Sequence, residues 1–421
     1  MLKQIEGSHA VAEAVALCRP EVICAYPISP QTHIVEDLSE IVRKGELKPC
    51  KFINVESEFA AMSVSIGASA TGARAYTATA SQGFLYMVEA IYNASGLGLP
   101  IVMTVTNRSI GAPANILNDH SDSLSQNASN WIQLYAENNQ DALDLHILAF
   151  RLGEELSVPV MVNMDGFILT HAYERVDMPT QQQVDAFLPP YEPRQILDPR
   201  EPVSIGAVVG GEAYMEVKYL EYAKHLRALE LIPQLAAEFK TCFGRESCSL
   251  LRPYRTEDAE TIVVAMGSIL GTIKDTVDDM RKAGHKIGAL GITSFRPFPA
   301  EQIRETCKRA KRVLTLDKSL SAGSCATGLL ATDVNLALSG MPISCHTVIT
   351  GLGGRTVTKK SLEGLFLKAE KGELKPLDFL DLNWDIVNRQ LEREKATRRS
   401  GPAAENVAHE MAVLASAIGR K

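Results

Sequence analysis

Three short polar stretches, each directly after an apolar run, hold the side chains of this 421-residue chain best suited to chemistry. AYPISPQT, at 25–32, sets Ser29 between two prolines that fix the loop's dihedrals. VESE, at 55–58, places Glu56 and Glu58 where an apolar strand gives way to a helix rich in Ala, Gly and Ser. TNRSIGAPANILNDHSDS, at 106–123, is the densest polar cluster and supplies Arg108, Asp119, His120 and Asp122. Each also has an ordinary structural reading. Ser29 or Thr32 can cap a helix. A surface arginine is usually solvated, but one directly after a buried strand can stand at the rim of a pocket and clamp a carboxylate. Asp119 and His120 have no further His or Cys at ligand spacing, so capping and loop hydrogen bonds are expected of them.

Other motifs are excluded by spacing. IGASATGARA lacks the glycine pattern of a phosphate loop, and close helix packing is expected at Gly67 and Gly72. No GxSxG or HExxH occurs, which leaves hydrolase and zinc-protease readings without an anchor. The cysteines at 18, 24, 50, 242, 248, 307, 325 and 345 form no CxxC pair, so ordinary reduced thiols are expected and no iron-sulfur cluster in this chain.

The elements that must position these loops alternate strand with helix. Val22 to Ala25, Phe52 to Val55, Ala75 to Thr79, Ile101 to Thr106 and Val158 to Met164 read as buried strands. Helices are expected over Gln31 to Lys44, Glu58 to Gly67, Gly83 to Ser95 and Gln140 to Leu156. That alternation implies an α/β chain with a mainly parallel sheet covered on both faces, and the three polar loops would converge at strand carboxyl ends. Around 177–203 six prolines mark a long surface connection, followed by a charged helix from Ala213 to Phe243. A second, smaller α/β region then places strands at Thr261 to Met266, Lys286 to Ile292 and Arg312 to Asp317, with helices near 269–283, 300–310 and 323–338. Hydrophobic content of 46% and charged content of 22% suit a soluble globular chain, and a net charge of -7 argues against a nucleic-acid partner. No leader and no membrane-length apolar run is evident, so a cytoplasmic location and no membrane span are expected.

Taken together, YPISPQT, VESEFAAMSVSIGASATGARAYTATASQG and LPIVMTVTNRSIGAPANILNDHSDS resemble the signature of the alpha subunit of the pyruvate (2-oxoacid):ferredoxin oxidoreductases, which use thiamine diphosphate. The similarity continues through PVMVNMDGFILTH at 159–171, FLPPYEP at 187–193, FRPFP at 295–299 and GLGGR at 351–355. It covers residues 1 to about 370. The resemblance implies a pyrimidine-type thiamine-diphosphate domain with its linker at 1–240, a transketolase-C-terminal-like domain at 255–370 and a helical tail at 371–421. It assigns Glu58 to the cofactor's aminopyrimidine, where a carboxylate on the ring nitrogen promotes the imino form that removes the thiazolium proton. Glu56 is expected to cap or pair locally. Arg108 matches the arginine that binds the 2-oxoacid carboxylate, and Ser29 takes the place of a threonine that hydrogen-bonds substrate.

The resemblance also implies what lies elsewhere. No GDG segment followed by an Asn is present, so magnesium, the diphosphate and the iron-sulfur clusters are expected on partner subunits of beta, gamma and ferredoxin-like delta type, with thiamine diphosphate at the interface. Coenzyme A would take the acyl group, and electrons would pass to ferredoxin or, through a flavin subunit, to NAD. One departure stands out: pyruvate enzymes continue after DHSDS with QRDTGW, whereas this chain has Gln126, Asn127, Ala128, Ser129, Asn130 and Trp131. A larger or aromatic acid such as phenylglyoxylate is therefore an alternative substrate, and a non-catalytic scaffold subunit is the alternative of another class.

Overall fold

Aliphatic and β-branched runs too short for a helix become strands, and the longer stretches with apolar positions three or four apart become helices. The computed structural model describes residues 1–324 and 327–418, so Cys325 lies outside the described residues. The chain opens with β1 (Leu2–Glu6), α1 (Gly7–Leu17), β2 (Val22–Ala25), α2 (Thr32–Lys44), β3 (Lys51–Asn54) and α3 (Glu58–Ala70). It continues with β4 (Ala75–Thr79), α4 (Ser81–Tyr86), α5 (Val88–Gly96), β5 (Val102–Asn107), α6 (Ser121–Leu124) and β6 (Ile132–Tyr135). Then come α7 (Asn139–Leu156), β7 (Val160–Asp165), β8 (Tyr173–Asp177), α8 (Gln181–Phe187) and the long α9 (Tyr214–Phe243). Six strands of this part form a parallel sheet in the order β6-β7-β5-β4-β2-β3, while β1 and β8 pair by themselves.

The second part comprises β9 (Leu251–Tyr254), β10 (Thr261–Ala265), α10 (Ile269–Lys282), β11 (Ile287–Ile292), β12 (Ser294–Arg296), α11 (Ala300–Cys307) and β13 (Arg312–Asp317). α12 (Leu329–Ala337), β14 (Ser344–Ile349), α13 (Lys359–Glu370) and β15 (Leu377–Phe379) complete it, and α14 (Trp384–Ala396) and α15 (Ala403–Ile418) follow. Its sheet runs β15-β14-β13-β10-β11-β9, parallel except for β9. Both edge strands, β9 and β15, lie outside the expected span 255–370. A proline within LRPY and a length of three residues hide them from any pattern of alternation.

Three further differences have physical causes. The helix expected from Gly83 to Ser95 divides at Met87, whose φ of -96° and ψ of 11° leave helical geometry. Gly67 has nothing within 4 Å of where a Cβ would stand, so within this chain it packs against nothing; Gly72 adopts a φ of +91° against Ile196 and Pro193, which glycine tolerates. Finally, β12 leaves the second part and adds antiparallel to β6, making a seventh strand of the first sheet. The FRPFP motif is thus an inter-domain strand. α9 belongs with the first part, because Ala228, Ile232, Leu235 and Phe239 are buried in the core that α7 also lines.

GLGGR docks on the same seam. Asn115 Nδ2 donates to the Gly353 carbonyl at 3.1 Å, the Gly353 amide donates to Asp119 Oδ2 at 3.0 Å, and the Gly354 amide donates to the Asn118 carbonyl at 2.7 Å. Both glycines have positive φ, and a Cβ on either would stand 2.5 Å from Asn115 or Leu117. Beneath this latch, buried Asp165 accepts from His120 Nε2 at 2.7 Å, from Lys318 Nζ at 3.0 Å and from the Ser268 amide and hydroxyl. Burial alone would raise the Asp165 carboxyl, but the Lys318 ammonium and the contacts with His120 and Ser268 hold it well below the usual carboxylate range.

Candidate active site

Four neighbouring parallel strands, in the spatial order β3, β2, β4, β5, present their carboxyl ends along one rim. Ligands of open parallel sheets bind in the crevice outside such ends. Glu58 follows β3, Ser29 follows β2, Gly83 follows β4 and Arg108 follows β5, so the topology brings all three sequence-predicted residues to that rim.

Glu58 is the first residue of α3. Ser57 caps the helix, accepting from the Ala60 amide at 3.2 Å, and Glu56 is exposed, so the local capping expected of Glu56 is carried out by its neighbour. A carboxylate in the first turn is favoured by the free amides and partial positive charge of the helix N-terminus. The Glu58 side chain is 7% exposed, and among the described residues no protein donor bonds its carboxylate. Gly83 faces it: a Cβ there would stand 2.5 Å from Glu58 Oε1 and 2.8 Å from Thr79 Oγ1. Thr79 Oγ1 is buried and without a partner. A buried carboxylate, a missing side chain and an unpaired hydroxyl therefore adjoin one another, and buried polar groups of this kind are normally satisfied by something.

Arg108 sits at the end of β5. Its Nε donates to the Asn115 carbonyl at 3.1 Å and its Nη1 to the Ser29 carbonyl at 3.0 Å. Ser29 thus meets the arginine through its backbone, and its exposed side chain leaves the hydroxyl available. Gln31, fully buried, pins the same loop by donating to the Ala78 carbonyl at 2.8 Å and accepting from the Ile28 amide at 3.2 Å.

The residue that organises the rim is Asp122, which sequence reasoning named only as one member of a polar cluster. Its carboxylate accepts from the amides of Ser81, Arg108 and Ser123 and from Asn107 Nδ2, all between 2.7 and 3.0 Å. Burial pushes this carboxyl up while those four donors pull it back. One side chain therefore fixes the β4–α4 turn beside Gly83 and the backbone that carries Arg108. Asp119 makes the loop hydrogen bonds expected of it, to Ser121 and Gly353. His120 goes further, since its buried ring bonds Asp165, the carboxylate that receives Lys318 and Ser268 from the second part.

The altered turn at 126–131 lies elsewhere. Trp131 immediately precedes Ile132, which pairs with Val160 at the amino end of β7, whereas Arg108 follows Asn107, which pairs with Asp165 at the carboxyl end. Arg296 Nε donates to the Asn127 carbonyl at 3.0 Å, and His225 Nε2 lies 3.1 Å from the Asn130 carbonyl. The turn faces α9 and β12, away from the rim.

The family described as pyruvate flavodoxin/ferredoxin oxidoreductase, thiamine diphosphate-binding, matches residues 13–236, and pyruvate:ferredoxin oxidoreductase core domain II matches 259–362. The chain is 46% identical to pyruvate synthase subunit PorA of Methanosarcina barkeri over 91% of its own length and 97% of that protein's. It is 39% identical to ketoisovalerate oxidoreductase subunit VorA of Pyrococcus horikoshii, covering 86% and 92% of the two chains. Among solved structures, it is similar to the 2-oxoglutarate:ferredoxin oxidoreductase from Magnetococcus marinus with a TM-score of 0.68 at 16% identity, covering 87% of this chain and 65% of that one. A split-gene transketolase, an inactive beta4 tetramer, gives a TM-score of 0.52 at 14% identity over 88% of this chain and all of that one. These two likenesses speak for the fold. No helix among the described residues is long and apolar enough to cross a membrane.

Proposed function

The chain belongs to the pyruvate:ferredoxin oxidoreductase family, and from that premise we propose that it is the alpha subunit of a pyruvate synthase type of enzyme. The reaction takes a 2-oxoacid and coenzyme A to acyl-CoA and carbon dioxide, with two electrons leaving for iron-sulfur clusters on partner subunits and then for ferredoxin. Pyruvate is favoured because relatives named pyruvate synthase subunits cover this chain almost from end to end. The alternative of an aromatic acid rested on the turn at Asn127, and that turn stands at the wrong end of the sheet to touch a substrate at Arg108.

One observation carries the reading: the buried Glu58 carboxylate, bonded by no protein donor among the described residues and faced by a glycine. These residues fit the aminopyrimidine of thiamine diphosphate, with Glu58 holding a proton against its ring nitrogen and Gly83 leaving room for the ring. When bound, that cofactor supplies a nucleophilic carbon for the 2-oxo carbon and a sink for the electron pair left by carbon dioxide. Arg108 pairs the substrate carboxylate, and the Ser29 hydroxyl donates to the same substrate from the neighbouring loop. Asp122 holds the β4–α4 turn beside Gly83 and the backbone of Arg108 at fixed separation, which is how positioning lowers a barrier. Magnesium and the diphosphate are held by the beta-type partner; gamma and ferredoxin-like delta types complete the assembly, and a flavin subunit delivering electrons to NAD is the alternative acceptor.

The test is viologen reduction by the complex purified anaerobically through a tag on this chain, with pyruvate, 2-oxoglutarate, branched 2-oxoacids and phenylglyoxylate supplied in turn with coenzyme A. Reduction with pyruvate supports the reading. Reduction confined to a larger acid overturns the substrate assignment, and silence with every acid in a fully assembled complex makes the chain a scaffold.

A further inference from the structure

Behind the β2–α2 loop lies a cluster that the reaction does not use. Among the described residues, Glu6, His33 and His171 are a group whose possible ligand atoms all lie within 4.8 Å of one another. They come from three elements: Glu6 ends β1, His33 is the second residue of α2, and His171 follows β7. Glu6 occupies the N-cap position of α1, yet its side chain makes no capping bond and turns to the histidines instead. Its Oε1 is 2.6 Å from His33 Nδ1. The His33 and His171 rings stand 4.7 Å apart between centroids. Thr170 Oγ1 is 2.7 Å from His171 Nδ1 and accepts from the Phe167 amide at 2.8 Å, so the ring is oriented with Nε2 left over. A ligand histidine whose second nitrogen is fixed by a hydrogen bond is the usual arrangement at metal centres.

We propose that Glu6, His33 and His171 form a binding site for a divalent transition metal of the zinc type. Two imidazoles and one carboxylate, without thiolates, suit such an ion and disfavour magnesium or calcium, which take oxygen ligands. Ligand atoms around tetrahedral zinc at about 2.1 Å stand roughly 3.4 Å apart. The three groups need to close by no more than about 1.4 Å, and a half-exposed His33 side chain has the freedom to do so. Glu6 is 8% exposed at its side chain while His33 is 42% exposed, which gives an anchored carboxylate with an open approach. The ion ties β1, the first turn of α2 and the loop after β7 into one unit, four residues beyond Ser29. It is a clamp on the loop that carries the substrate hydroxyl, and its existence does not depend on the functional reading.

The test is calorimetric titration of the full chain with zinc chloride, beside the variants His33→Gln and His171→Gln, with zinc-edge X-ray absorption on the loaded protein. One zinc per chain at micromolar affinity or tighter is expected, undiminished by excess magnesium, with imidazole scattering in the absorption spectrum and a raised unfolding temperature. Each variant, folded by circular dichroism because its position is only partly buried, is expected to bind at least about tenfold more weakly. Absence of uptake, uptake equal to the parent's in either variant, or a spectrum without imidazole overturns the site.

Discussion

At the scale of single residues, the rim was legible wherever a polar side chain followed an apolar strand. Ser29, Glu58 and Arg108 all do, and the parallel topology then had to gather them. Glu58→Gln keeps the shape and removes the negative charge; in the assembled enzyme we expect turnover to fall by on the order of 100-fold or more, measured by viologen reduction at saturating thiamine diphosphate. Gly83→Ala tests the same carboxylate from the opposite side. Its methyl would meet Glu58 Oε1 at 2.5 Å, so activity should fall, and a fully active Gly83→Ala enzyme would remove Glu58 from the site. Arg108→Ala should lower kcat/KM by about 2 to 4 kcal/mol of transition-state stabilisation if it pairs the substrate carboxylate, most of it regained by no lysine, since a fork is needed for two bonds. Asp122 was not legible as the organiser, because four converging donors from three segments leave no trace in spacing.

At the scale of elements, strands announced themselves where apolar residues dominate the run. Ala75–Thr79 and Arg312–Asp317 were read to the residue, whereas IQLY of β6, buried throughout, is hidden by its polar Gln133, and SCHTVI of β14 opens on three residues that are not fully buried. α7 illustrates the hidden part. His146, fully buried on that helix, lies 2.5 Å from Thr104 Oγ1 and 2.6 Å from the Ala142 carbonyl, and Tyr76 OH lies 2.6 Å from the same Thr104 oxygen. A neutral imidazole completes that chain, donating from Nδ1 to the carbonyl and accepting at Nε2. Burial lowers His146 to about 4, so the unfolded chain, with an ordinary histidine near 6.5, binds the proton more readily. The stability this neutral ring contributes is therefore fully present above about pH 6.5 and is lost as pH falls towards 4, amounting to about 3 kcal/mol. Urea titrations at several pH values should show that slope in the parent chain and a shallower one in His146→Gln. Equal slopes would mean that the imidazole is charged within the fold.

At the scale of the whole molecule, local and global preferences disagree on one helix, and the disagreement points outward. α3 carries Gly67 in its interior, where glycine costs roughly 0.5–1 kcal/mol relative to alanine. No atom within 4 Å explains it. Phe59, Ser63 and Gly67, spaced four apart, share one face of that helix and are exposed, and Tyr86 beside Phe59 is 63% exposed. The same helix begins at Glu58, so whatever covers this face closes the cofactor crevice. If, as proposed above, a partner subunit brings the diphosphate-binding half, it would lie here, its backbone approaching α3 through the gap that glycine leaves. Gly67→Trp separates the two levels. In the isolated chain Gly67 is exposed and an added Cβ meets nothing within 4 Å, so the unfolding temperature should stay the same or rise, because glycine has been removed from a helix. In cells producing all subunits, the same substitution should prevent partners from co-purifying with a tagged chain, while Gly67→Ala allows partial assembly. Co-purification of Gly67→Trp in full yield would place the partner on another surface. A lower unfolding temperature of the isolated variant would instead show that the helix face is already occupied within the chain.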